Sequence, residues 1–90
     1  MVHTIRDKAK LLARVRRIHG QTAALETLLD SGTDCAGILQ QIAAIRGAVN
    51  GLMVAVIEGH LTDHIVEEPE LAQRQHDLEL VLQVIKPYMK

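Results

Sequence analysis

From residue 4 onward, apolar side chains recur at three- and four-residue steps: Ile5, Leu11, Leu12, Val15, Ile18, Leu25 and Leu29, with Thr22 in the same register. That period covers one face of an α-helix and predicts a first helix reaching about Asp30. Ser31-Gly32-Thr33-Asp34 should end it, since Gly32 suits a helix stop and Thr33 or Asp34 suits the next N-cap. Between Cys35 and Val66 no proline intervenes, and Ile38, Ile42, Ile45, Val49, Leu52 and Val56 alternate four- and three-residue steps, as in a coiled-coil seam. Glu67-Glu68-Pro69 breaks this second helix. Leu71, Leu78, Val81, Leu82 and Ile85 mark a shorter third one that loses regularity near Pro87. The pattern therefore predicts an all-α fold, a helical hairpin plus one short helix, within a single domain spanning residues 1–90.

Composition sharpens the picture in two ways. Phe and Trp are absent and Tyr88 is the sole aromatic residue, so the core must be built from Leu, Ile, Val, Ala and Met, which favours helices over strands. A chain of 90 residues also buries only about 60–65% of its unfolded surface when it folds alone, which makes oligomerisation an expectation. The opening residues carry charge instead of an apolar run, and no later stretch approaches the roughly 20 apolar residues of a membrane span. These features predict a cytoplasmic protein without a membrane partner.

The net charge of −1 conceals a strong asymmetry. Residues 1–21 hold six Lys/Arg against Asp7, a balance of +5, and the remaining residues sum to −6. Arg6, Lys10, Arg14, Arg17 and Gln21 step by four, four, three and four along the first helix, forming one line opposed to the leucine face. Such a line can track phosphates with salt-dependent affinity, and Arg and Gln can address base edges. Without aromatic platforms for stacking single-stranded bases, duplex DNA is the expected partner. A charge run can also be merely a solvated helix face, but no acids interleave with this one.

The second helix carries the candidate chemistry. His60 and His64 lie one turn apart, a spacing that lets two imidazoles reach one ion. The lone cysteine, Cys35, excludes an intrachain disulfide and could be a buried thiol, a nucleophile or a ligand. At about 100° per residue, Cys35 falls within about 20° of both histidines in azimuth, on the face that also holds Ile42, Val49, Met53 and Val56. Along the helix, however, Cys35 and His60 are separated by about 37 Å, far beyond what one ion can bridge. Two copies packed antiparallel would bring Cys35 of one beside His60 and His64 of the other, creating two equivalent sites. Asp34 and Asp63 adjoin these positions and could add oxygen ligands. On the opposite face Ala44, Ala48, Gly51 and Ala55 form a small-residue stripe suited to close helix packing.

Across essentially its whole length the sequence resembles the CsoR/RcnR family of metal-responsive bacterial repressors. The resemblance rests on RVRRIHGQ at residues 14–21, on Cys35, and on ILQQIAAIRGAVNGLMVAVIEGHLTDHI at residues 38–65. It implies a three-helix protomer, antiparallel dimers and a disc-like homotetramer. It also implies that metal-free protein holds operator DNA and that metal releases it, derepressing metal-efflux genes. The nickel/cobalt branch pairs an N-terminal histidine with Cys, His and His, and this chain supplies His3, Cys35, His60 and His64 at matching positions. Six-coordinate Ni(II) or Co(II) would need further donors, for which the N-terminal amine is the nearest source. The copper branch would place a second cysteine where His64 stands, and Cu(I) prefers thiolates, so Ni(II) or Co(II), with Zn(II) as a third option, is the implied effector. The formaldehyde-sensing branch keeps the cysteine and His60 but has Pro at position 2, which is Val2 here, and a carboxylate where this chain has His64.

Two other readings remain open on sequence grounds. One is a formaldehyde-responsive repressor in which Cys35 is the nucleophile. The other is a cytosolic metal carrier or zinc hydrolase; no HExxH-like frame supplies a general base for hydrolysis, and a carrier has no use for the basic line. The sequence thus predicts no enzyme.

Overall fold

A computed structural model describes residues 6–89 as helices joined by short turns, with no strand among the described residues. Helix α1 runs Lys8–Asp30, α2 runs Cys35–Leu61 and α3 runs Leu71–Ile85. A π-helical turn, Thr62–Val66, extends α2, and a 3-10 turn, Lys86–Met89, follows α3 where Pro87 removes a backbone donor. Thr4 and Ile5, expected in the first helix, lie outside the described residues.

The α1–α2 turn forms because Gly32 adopts φ +72°, a conformation that side chains disfavour. Thr33 N–H then donates to Leu28 O at 3.1 Å and Gly32 N–H to Leu29 O at 3.4 Å, closing the last turn of α1 as a Schellman motif. Asp34, with extended backbone, takes the N-cap position of α2 without a side-chain capping bond. At the far end of α2 the Thr62 hydroxyl donates to Glu58 O, and Glu67 N–H reaches back five residues to Thr62 O at 2.9 Å. A side chain that bonds the preceding turn in this way loosens the regular ladder. The sequence period gives no sign of this π turn.

Packing of α1 on α2 follows a seam that differs from the expected one. On α1 the half-buried positions are Leu11, Ile18, Gln21, Leu25 and Leu28, and on α2 they include Ile38, Gln41, Ile45, Ala48, Leu52 and Ala55. Ile42 and Val49, expected in the same seam, stay 45% exposed each. The cause is the small-residue stripe: α1 settles against the side of α2 that carries Ala48 and Ala55, which turns Ile42 and Val49 outward. The leucine face of α1 is split likewise, leaving Val15 and Leu29 exposed.

The resulting protomer is a slab of 55 × 31 × 13 Å with a radius of gyration of 17.1 Å, where a compact chain of this length would have about 12 Å. Among the described residues Val81 is the only buried apolar side chain. The sequence expectation about membrane spans also needs correcting. Cys35–Val66 is long enough to cross a bilayer and contains an 18-residue window of mean hydropathy 1.5, because Ala, Val and Ile outweigh its few polar positions. In the fold α1 lies along one flank of it and α3 along another, near Met53, Val56 and Ile57, while Leu39, Ile42, Val49 and Val54 stay exposed.

Candidate metal centre and basic groove

His60, in the last turn of α2, and His64, in the π turn, stand side by side with ring centroids 4.7 Å apart. Both rings are turned toward α3. The Nε2 of His60 lies 3.0 Å from the main-chain oxygen of Asp77, and the Nδ1 of His64 lies 3.4 Å from its Oδ2. Asp77 is itself buried, at 8% exposure, and its Oδ1 accepts a 3.0 Å hydrogen bond from the amide of Gln73. A buried acceptor is a strong one, because no water competes for it.

Cys35 is exposed at the opposite end of α2. Within one chain, no three His, Cys, Asp or Glu side chains among the described residues come together as a metal-holding group. The separation deduced from helix length therefore stands in the fold. His3 lies outside the described residues. Asp34 occupies the α2 N-cap position, and Asp63, whose side chain is only 5% exposed, is ion-paired with Arg6.

That ion pair changes the reading of the basic line. Arg6 also bonds Asp7 at 3.4 Å, and these contacts, Asp63 first, raise its pKa above the ordinary guanidinium value. The line does not run on the side of α1 away from α2. It follows the edge of the hairpin seam, where Arg14, Arg17 and Gln21 border Ala44, Gly47 and Ala48 around a groove of about 360 Å³. Arg6, Lys10 and Arg14 continue it beside Ala55, Glu58 and Gly59. The small residues of α2 make the room: a β-carbon at Gly51 would stand 3.1 Å from the Arg14 guanidinium. Gln21 is partly consumed by the fold, its main-chain oxygen accepting from Gln41 at 3.0 Å.

Residues 7–87 match the family model described as a metal-sensitive transcriptional repressor. The chain belongs to that family. It is 58% identical over 90 residues, all of both chains, to the transcriptional repressor RcnR of Salmonella paratyphi B, and equally so to an RcnR homolog of Escherichia coli O139:H28. The fold is similar to a glutamate-to-histidine variant of the formaldehyde-responsive regulator FrmR from Salmonella enterica serovar Typhimurium. The two share a TM-score of 0.85 and 48% identity, covering 92% of this chain and 94% of that one. These likenesses place the chain in the RcnR-like branch, as a non-enzymatic, metal-responsive transcriptional repressor whose partner is DNA.

Within this repressor the residue that sequence reasoning missed is Asp77. A signal for it existed. Arg74, Asp77, Val81 and Ile85 are the covered positions of α3, at helical steps, so a carboxylate stands in the core-facing register of that helix.

Proposed function

We propose that this repressor holds operator DNA when metal-free and releases it on binding Ni(II) or Co(II), derepressing genes for metal export in the cytoplasm. The carrying observation is a convergence at the end of α2. His60 and His64 stand together there, and Asp63, one residue from His64, grips Arg6 at the head of the basic line. Ligand pair and DNA-facing groove thus meet in one place.

The donor chemistry fits the ion. One thiolate with several imidazoles suits Ni(II), Co(II) or Zn(II) better than Cu(I), and the Asp77 contacts orient the rings as outer partners of ligating histidines do. Cys35, His60, His64 and His3 would hold the ion, which when bound supplies a bond between two chains. The exposed Ile42 and Val49 give two antiparallel α2 helices an apolar surface to share, with Cys35 of one chain beside the histidines of its partner. Dimers of this kind would pair into the disc-like homotetramer.

On the DNA side, Arg6, Lys10, Arg14 and Arg17 would neutralise phosphates, and Gln21 would border them. Asp63 and a phosphate compete for the same guanidinium, so whatever changes the setting of the His64 turn changes what Arg6 offers to DNA. By linkage, operator binding must weaken metal binding by the same factor.

Titrating the purified protein–operator complex with Ni(II), Co(II), Zn(II), Cu(I) and formaldehyde in parallel tests this reading, with release by Ni(II) and Co(II) the expected result. The likeness to FrmR favours one rival, formaldehyde sensing through Cys35. In that case formaldehyde alone releases DNA, and mass spectrometry finds a methylene bridge between Cys35 and the N-terminal amine, with loss of water.

His3 precedes the Arg6 contact by three residues. His3→Ala is expected to keep part of the metal affinity yet lose much of the metal-induced release, measured by operator binding with and without Co(II). A wild-type response would leave the coupling to α2 alone.

A further inference from the structure

Asp77 is buried, at 8% exposure of the whole residue, and it faces both histidines with two different groups. Its main-chain carbonyl oxygen meets Nε2 of His60 at 3.0 Å, and its carboxylate meets Nδ1 of His64 at 3.4 Å. A carbonyl and a carboxylate oxygen are both acceptors, so each favours a proton on the nitrogen that faces it. A neutral imidazole has a single N–H, with its lone pair on the other nitrogen. Asp77 thus biases the two rings toward opposite tautomers.

We propose that Asp77 is the positioning residue of the metal centre, setting His60 to present Nδ1 and His64 to present Nε2 to the ion. This rests on the reading of the two histidines as ligands. Several features make Asp77 suited to the task. Burial strengthens both acceptors. The Gln73 amide, at 3.0 Å from Oδ1, fixes the carboxylate so that Oδ2 is the oxygen turned to His64. Val81 follows one turn later on the same covered face, anchoring that stretch of α3. The carboxylate and the main-chain oxygen are separable by mutation, so each histidine has its own control.

Long-range 1H–15N spectra of the imidazoles, recorded on metal-free protein under conditions where both rings are neutral, read the tautomers directly. Wild type should show Nε2–H on His60 and Nδ1–H on His64. Asp77→Ala removes the carboxylate and keeps the main-chain oxygen, so His64 should lose its Nδ1–H preference while the unchanged His60 signal shows α3 still docked. Asp77→Asn, which retains a side-chain carbonyl acceptor, should restore much of the His64 preference. Titrated with Ni(II) alone, Asp77→Ala should bind about 10- to 100-fold more weakly, and Asp77→Asn less so. An unchanged His64 tautomer in Asp77→Ala overturns the proposal. So does a wild-type spectrum with the same tautomer on both rings, a test that holds even where Asp77→Ala does not fold. Ni(II) titration of His64→Ala separates the underlying reading: undiminished affinity there removes His64 from the ligand set, whatever the tautomer spectra show.

Discussion

Mixing Cys35→Ala protomers with His60→Ala protomers is expected to restore one metal site of two in each heterodimer, although each variant alone has only damaged sites. The reason lies in the length of α2. Its 27 residues keep Cys35 and His60 at opposite ends of one rigid rod, about 37 Å apart. Under the proposed ligand set, each site would take its thiolate from one chain and its imidazoles from the other. In the heterodimer, the intact Cys35 of the His60→Ala chain meets the intact histidines of the Cys35→Ala chain, and the second site carries both lesions. Co(II) absorbance in the sulfur-to-metal charge-transfer region, titrated on purified heterodimers, reads this as half the wild-type stoichiometry. Heterodimers that recover no site would rule out the antiparallel arrangement.

Arg14→Ala and Arg17→Ala should each weaken operator binding strongly and leave the metal affinity of the free protein nearly unchanged. Both side chains border the groove over Ala44, Gly47 and Ala48, whose lining includes none of Cys35, His60, His64 and Asp77. Each phosphate contact removed should make the plot of log affinity against log salt shallower by about one. Arg6 is expected to behave differently, because Asp63 already engages it. Arg14 and Arg17 therefore isolate the phosphate contribution, and an unchanged slope in both variants would mean that they serve the hairpin instead of DNA.

Much of this architecture could be read from the chain because its signals are local. Gly32 marks a helix stop by the one backbone conformation it tolerates well, Pro69 marks the end of the long helix, and the apolar period between them sets helix type. Helix periodicity likewise predicts that His60 and His64 share a face, and the fold stands the two rings together. What escaped was set by tertiary choice. The small-residue stripe was legible as a surface for close packing, but nothing local says that α1 is the helix to take it in place of the Ile42 and Val49 side, so those two residues turned outward while the basic line moved to the seam's edge. The Arg6–Asp63 pair joins residues 57 positions apart, and Asp77 is a single carboxylate in a polar stretch. Neither belongs to any short motif.

The thin slab, with one buried apolar side chain among the described residues, has a thermodynamic consequence. Under the proposed assembly, most of the apolar surface that could hold a protomer folded is covered only by its partners, so folding and association draw on the same equilibrium. Stability then follows mass action. The population of operator-competent repressor falls faster than linearly as the cell dilutes it, and a chain without partners becomes a substrate for proteolysis. A regulator built this way responds to two concentrations, that of the ion and its own.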